Sequence, residues 1–154
     1  MIFGDCLKIL PTLTDDSIDL VLADPPYGKT RNQWDSIIPF NSLWPELWRL
    51  SQCVAMFSVE PFGRQLRLSD SHYKYDWYWN KINRWSGHLN AKKQPLRLME
   101  CVSVFYKPQA IYNPQMTEGK PYSAISRGAK SSIFDTQTDG IRTTNKGEYY
   151  PKNL

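Results

Sequence analysis

No apolar run in this 154-residue chain approaches the roughly 20 residues that a membrane-crossing helix needs. Cysteine is scarce. Cys6, Cys53 and Cys101 lie far apart, cannot all pair within the chain and match no Cys-x-x-Cys spacing. That excludes a disulfide framework and a thiolate metal site, and the expected state is buried, reduced thiols. The two histidines, His72 and His88, have no ligand-type partners at metal spacing, so neither is read as catalytic. Glycine is thin as well: eight residues, scattered, with no Gly-x-Gly anywhere. An acid at Asp5 interrupts the opening "MIFGDCLKIL", which is not the pattern of a secretory signal. The expectation is a cytoplasmic protein that does not enter a membrane.

Aromatic side chains and proline are abundant, with six Trp, nine Tyr and eleven Pro. Ordinary apolar content and this length suit a single core with long loops. A net charge of +4 gives a mild preference for anionic partners.

Asp5 is placed to cap a short helix over Cys6 to Leu10. "SIDLVLA" is nearly continuously apolar, which suits a strand covered on both faces within a parallel sheet. Leu43, Leu47 and Leu50 recur at helical spacing in "NSLWPELWRLSQ". Pro45 within it predicts that the regular helix starts near that residue. "CVAMFSV" reads as a second buried strand, and "EPFGRQLRLSD" as a helix with Pro61 in its first turn. In "YKYDWYW", Tyr73, Tyr75, Trp77 and Trp79 alternate onto one face of a strand, and "CVSVFYK" is a further strand. Strands alternating with helices predict an α/β domain over residues 1–108. Residues 109–154 lose that periodicity and are dense in Pro, Gly, Ser, Thr and Asn, which predicts either a flexible tail or a loop-rich recognition region.

The "DPPYG" knuckle falls at the carboxyl end of the first strand, the edge where open α/β sheets bind ligands. Pro25 and Pro26 fix two successive φ angles and supply carbonyls without N–H groups. Asp24 adds an acceptor carboxylate and Tyr27 a flat aromatic face. Such a rigid, acceptor-rich corner suits a planar ring bearing an exocyclic NH2. Accepting both N–H bonds there raises the lone-pair character of an amine otherwise conjugated into its ring.

"DPPYG" resembles the catalytic motif of the amino-methyltransferases that methylate exocyclic nitrogens of DNA bases using S-adenosylmethionine. "GDCLKILPTLTDDSIDLVLADPPYG" is similar to the N-terminal block of the β-class of that family. "WYWNKINRWSGHLNAKKQPLRLMECVSVFYK" and "YNPQ" resemble further family segments, so the likeness spans most of residues 1 to 115. The resemblance implies a partial Rossmann-like methyltransferase sheet, S-adenosylmethionine as cofactor and double-stranded DNA as partner. Asp24 and the Pro25 carbonyl would hold the target amine within the Asp24, Pro25, Pro26, Tyr27 motif. Tyr27 would stack on a base flipped out of the duplex. Asp24 and Asp5 would lie near the cofactor, a role compatible with Asp5 as an N-cap. An unperturbed aspartate is a weak base, which favours hydrogen-bonded polarisation over proton abstraction for Asp24. Aspartate at the motif's first position implies adenine N6 rather than cytosine N4, in a prokaryotic or phage setting of DNA modification and restriction.

Between Asn80 and Met99 there is no acid, while Lys81, Arg84, Lys92, Lys93 and Arg97 surround Trp85. A basic, aromatic-interleaved stretch suits a phosphate backbone, and an exposed basic loop without a ligand reads the same way. Lys29, Lys92, Lys93 and Arg97 are the DNA-contact candidates. The resemblance also implies a Phe-x-Gly-x-Gly half that this chain does not contain. The expectations are therefore an incomplete methyltransferase, a complementing chain or homodimer, or a nucleic-acid-binding module without catalysis. Strands without their neighbours would leave an exposed edge and apolar surface, which predicts self-association or poor stability.

Overall fold

The structure, a computed structural model, describes residues 1–125 and 142–151. The described chain divides into two compact units, Met1–Ile111 and the segment beginning at Tyr112. The second unit contains short antiparallel ladders where the sequence showed no periodicity. In it β5 (Thr117–Glu118) pairs with β8 (Glu148–Tyr149), and β6 (Tyr122–Ile125) pairs with β7 (Arg142–Asn145).

In the first unit, α1 (Cys6–Ile9) leads to β1 (Val21–Ala23), α2 (Phe40–Leu50), β2 (Cys53–Ser58), α3 (Phe62–Leu68), β3 (Tyr73–Asn80) and β4 (Met99–Tyr106). The sheet order is β1-β2-β4-β3. β1 and β2 run parallel, with Val21 opposite Val54, while β4 is antiparallel to both of its neighbours. The architecture is mixed α/β with a mixed sheet, in which β1 pairs in parallel with β2 as its apolar run suggested. β1 is also shorter than the apolar run "SIDLVLA" and is not covered on both faces. Leu20 and Leu22 are 51% and 62% exposed.

One sheet face carries the core. Val54, Met56 and Phe105 pack there against Leu43, Trp44 and Leu47 of α2 and Phe62 and Leu66 of α3. α2 begins at Phe40, so Pro45 lies inside it rather than at its start. A proline there deletes one backbone hydrogen bond, yet Leu43 and Trp44 on its N-terminal side are both 5% exposed. Their burial outweighs the missing bond. Trp44 stacks on Trp48, and their indole N–H groups donate to Ser69 and Asp70, each at 2.8 Å. Pro61 is the N-cap of α3, just outside the turn expected for it.

β3 departs from simple alternation. The register shifts between Tyr73 and Tyr75, so Tyr73 pairs with Phe105 and joins the core face while Tyr75 pairs with Val104 on the other. The four aromatics therefore do not share one face: the irregularity at Lys74 flips Tyr73 inward.

Candidate active site

β1 and β2 both end at one edge of the sheet, and β3 ends and β4 begins there. Asp24 follows directly from β1 at this edge. It is exposed, whereas Tyr27 is half-buried, its ring leaning on Phe62 at 5.2 Å between centroids. The Tyr27 hydroxyl donates to Asp24 Oδ1. Burial, reinforced by that bond to an anion, pushes the Tyr27 hydroxyl well above its usual pKa, so it stays a donor. Asp24 Oδ1 is thereby occupied and held in place, leaving Oδ2 as an acceptor.

Beside this pair lies a hollow of about 380 Å³, lined by Asp24, Pro25, Pro26, Tyr27, Lys29, Thr30, Trp34 and Asp35. Three of these, Thr30, Trp34 and Asp35, were not singled out from the sequence. Trp34 is 70% exposed at the rim, offering a flat face to whatever enters. Asp35 is buried, and its carboxylate collects the backbone N–H groups of Gly28 (2.9 Å), Lys29 (2.8 Å) and Thr30. The Thr30 amide, ahead of the other donors, holds the Asp35 carboxyl down at about 2 against the opposing effect of desolvation. Three donors closing on one anion make the turn after the knuckle rigid. "NQWD" shows no periodicity, and only the folded loop reveals its pairing with residues 28–30.

Gly28 makes that turn possible. Its φ is +66°, and a Cβ would meet Ile37 Cγ1 at 3.1 Å. Left-handed backbone costs a non-glycine residue about 1–2 kcal/mol. Gly28→Ala is expected to lower the melting temperature by several degrees in a thermal scan; an unchanged value would show that the turn tolerates a side chain.

The basic candidates divide. The segment between β3 and β4 starts and finishes at the Asp24 edge, closed by Lys81 N–H to Leu98 O and by the paired Ser86 and Arg97 backbones, all at 3.0 Å. Lys29 donates to the Glu60 carbonyl, and Glu60 pairs with Arg67. Partial desolvation lowers the Lys29 pKa, the nearby Arg97 charge lowers it further, and Glu60 opposes both. The fold thus brings Lys29 and Arg97 together. The Arg97 Nε is buried and has no hydrogen-bond partner among the described residues. Lys92 and Lys93 are exposed in the same connection, with no contact to the hollow. Lys81 instead pairs with Glu100.

Asp5 caps α1, with Oδ1 accepting from Leu7 N at 3.0 Å, and it does not line the hollow. His72 is tied to Asp70 at 2.8 Å and packs edge-on to Trp48. Cys53 and Cys101 are free thiols raised by burial. No group of three or more His, Cys, Asp or Glu placed to hold a metal occurs among the described residues, and no helix among them is long and apolar enough to cross a membrane.

Protein-family models give no match to this chain, and neither do the curated proteins. Among solved structures, the chain is similar to a protein from Thermus thermophilus described as a "Putatative DNA Modification Methylase", with 17% identity and a TM-score of 0.47. The match covers 73% of this chain and 54% of that one, so this chain spans about half the length of that protein.

Proposed function

We propose that this chain holds the exocyclic amine of an adenine in double-stranded DNA, as the acceptor side of an S-adenosylmethionine-dependent methyltransferase. The observation that carries this reading is the Asp24 carboxylate, fixed through Oδ1 by Tyr27 at the mouth of an open hollow and flanked by prolines that offer no N–H. A flipped adenine would present one amine N–H to Asp24 Oδ2 and the other to the Pro25 carbonyl. Its ring would lie against Tyr27 or the exposed face of Trp34. Lys29 and Arg97, at the same edge, would take the flanking phosphates, with Lys92 and Lys93 further along the backbone. The choice of adenine over cytosine comes from the resemblance of "DPPYG", as does the cofactor role of Asp5.

The fit to the methyl donor is incomplete. A hollow of about 380 Å³ is near the lower end of the roughly 300–1,000 Å³ that a single small-molecule ligand occupies. It takes a base but not a base and a nucleoside cofactor together. The chain also has no Gly-x-Gly to let backbone approach that cofactor closely. Residues 24–35 therefore supply the acceptor corner, and the donor needs further walls. This incompleteness favours a second reading, in which the isolated chain binds DNA without transferring methyl groups.

The direct test compares affinity for duplexes carrying an unpaired adenine with those carrying an unpaired purine, which lacks the amine. Tighter binding of adenine supports the reading, and equal binding overturns it. Methyl-labelled cofactor with the same DNA then separates the two readings: label transfer supports catalysis, and its absence beside adenine-selective binding supports the binding module. Trp34→Ala should weaken binding of the unpaired-adenine duplex by about tenfold, since one base–aromatic stack is worth about 1–3 kcal/mol. Unchanged affinity would remove Trp34 from the contact.

A further inference from the structure

Toward the Asp24 edge the core face of the sheet turns polar. Ser103 stands opposite the apolar Met56, Asp76 stands opposite Ser103, and Ser58 follows Met56 by two residues, so all three share that face. Ser58 and Ser103 are fully buried. Ser103 donates to Asp76 Oδ1 at 2.7 Å, which leaves Ser58 as the donor in the 3.4 Å contact between the two hydroxyls. Asp76 Oδ2 pairs with Arg67 of α3 at 3.4 Å, and the same guanidinium grips Glu60 Oε1. The second Glu60 oxygen accepts from the Arg64 N–H at 3.2 Å. The Glu60 carbonyl accepts from the Lys29 ammonium. A continuous polar chain therefore runs from two buried serines to a lysine that lines the hollow.

α3 makes room for this chain. Gly63 lies buried in that helix with no left-handed φ to require it, although glycine costs a helix stability relative to alanine. A Cβ there would meet Arg67 Nη1 and Ser58 Oγ, each at 3.0 Å, and Glu60 Oε1 at 3.2 Å. The space that a side chain would fill is where these polar groups converge. Partly buried ion pairs add little net stability, but a satisfied polar network fixes the geometry of its members. Here the outermost member is the Glu60 carboxylate, held at both oxygens. The Arg67 bond lowers its pKa against the opposing effect of desolvation, so it remains an anion. It acts on Lys29 only at a distance, and among the described residues no carboxylate pairs with that ammonium.

We infer that Arg67 is a positioning residue for Lys29: by engaging the Glu60 carboxylate it keeps that anion off the ammonium. Lys29 is then held at its backbone N–H by Asp35, at 2.8 Å, and at its far end by a neutral carbonyl. Two ammonium N–H groups and an uncompensated charge stay available for an anion. Without Arg67 the exposed Glu60 side chain is free to swing onto Lys29 and neutralise it. The inference rests on the phosphate contact proposed for Lys29 above.

The test is the salt dependence of binding to the unpaired-adenine duplex, followed by fluorescence anisotropy. Lys29→Met should flatten the slope of log affinity against log salt by about 0.9, the signature of one lost phosphate contact. Arg67→Met should flatten it to a similar extent, although Arg67 does not line the hollow, and should weaken binding by about three- to tenfold at low salt. In the Lys29→Met background the same substitution should cost nothing further. Adding Glu60→Gln to Arg67→Met removes the freed carboxylate and should recover most of the loss, whereas Glu60→Gln alone should change little. Circular dichroism checks that each variant is folded, and Arg67→Gln repeats the series if the methionine variant is not. An unchanged slope in Lys29→Met overturns the phosphate contact on which the inference rests, while the amine reading keeps its separate adenine-against-purine test. With that contact present, an Arg67→Met slope equal to that of the unaltered chain overturns the positioning role. So does a loss that persists in the Lys29→Met background, which would place Arg67 on the DNA itself, or one that Glu60→Gln leaves unrepaired.

Discussion

Asp24→Ala is expected to cut the preference for an unpaired adenine over an unpaired purine by roughly ten- to a hundredfold, leaving only what the Pro25 carbonyl contributes. The magnitude follows from one hydrogen bond to a charged group, about 1.5–3 kcal/mol, at about 1.4 kcal/mol per tenfold. Purine keeps the ring, the stacking surface and the backbone charge, so the difference between the two duplexes reports the amine alone. Tyr27→Phe separates holding from touching. It keeps the ring against Phe62 and removes only the hydroxyl that fixes Oδ1. Its loss should be the smaller, about 0.5–1.5 kcal/mol of a neutral hydrogen bond, because Oδ2 stays available on a carboxylate that is merely less ordered. Equal preference in Asp24→Ala and the unaltered chain would remove Asp24 from amine recognition, whatever the overall affinity.

Local chemistry made part of this legible in the sequence. β2 and β4 are runs rich in Cys, Val, Phe and Ser with buried residues on both faces, and their strand character survives any reading of their neighbours. The knuckle was legible because two prolines after a strand leave the backbone little choice, and a hollow does lie beside it. What failed was information carried by distant packing. The apolar run before Asp24 implied two covered faces, but β1 is an outer strand and leaves Leu22 exposed. Alternation put Tyr73 with Tyr75, but one inserted residue turned it to the core. Pro45 argued for a late helix start, but burial of Leu43 and Trp44 carried the helix past it. Arg97 and Lys29 are far apart in sequence, and they become neighbours only because β3 and β4 close their connection at the Asp24 edge.

Asp35 is the residue that sequence alone had no means of marking, and its substitution gives the second large expectation. Asp35→Asn keeps the shape but turns an amide NH2 toward backbone donors that now meet a carboxylate at Gly28, Lys29 and Thr30. The loop carrying Lys29 and Trp34 should loosen, and a displacement of about 1 Å at a reacting group can cost on the order of a hundredfold in rate. Wherever label transfer is measurable, a fall of that size is expected. The pH dependence gives an independent reading. The folded Asp35 carboxyl is held at about 2, below the roughly 3.9 of an unfolded aspartate. Its stabilising contribution is therefore complete above about pH 4 and disappears as pH falls toward 2. Glu60 and Asp70 are also lowered by their partners, but they titrate alike in both proteins and cancel in the difference. The melting-temperature gap between the unaltered chain and Asp35→Asn should thus be widest above pH 4 and narrow steadily below it. A gap that stays constant from pH 5 to pH 2 would mean that the charge on Asp35 is not what holds the turn.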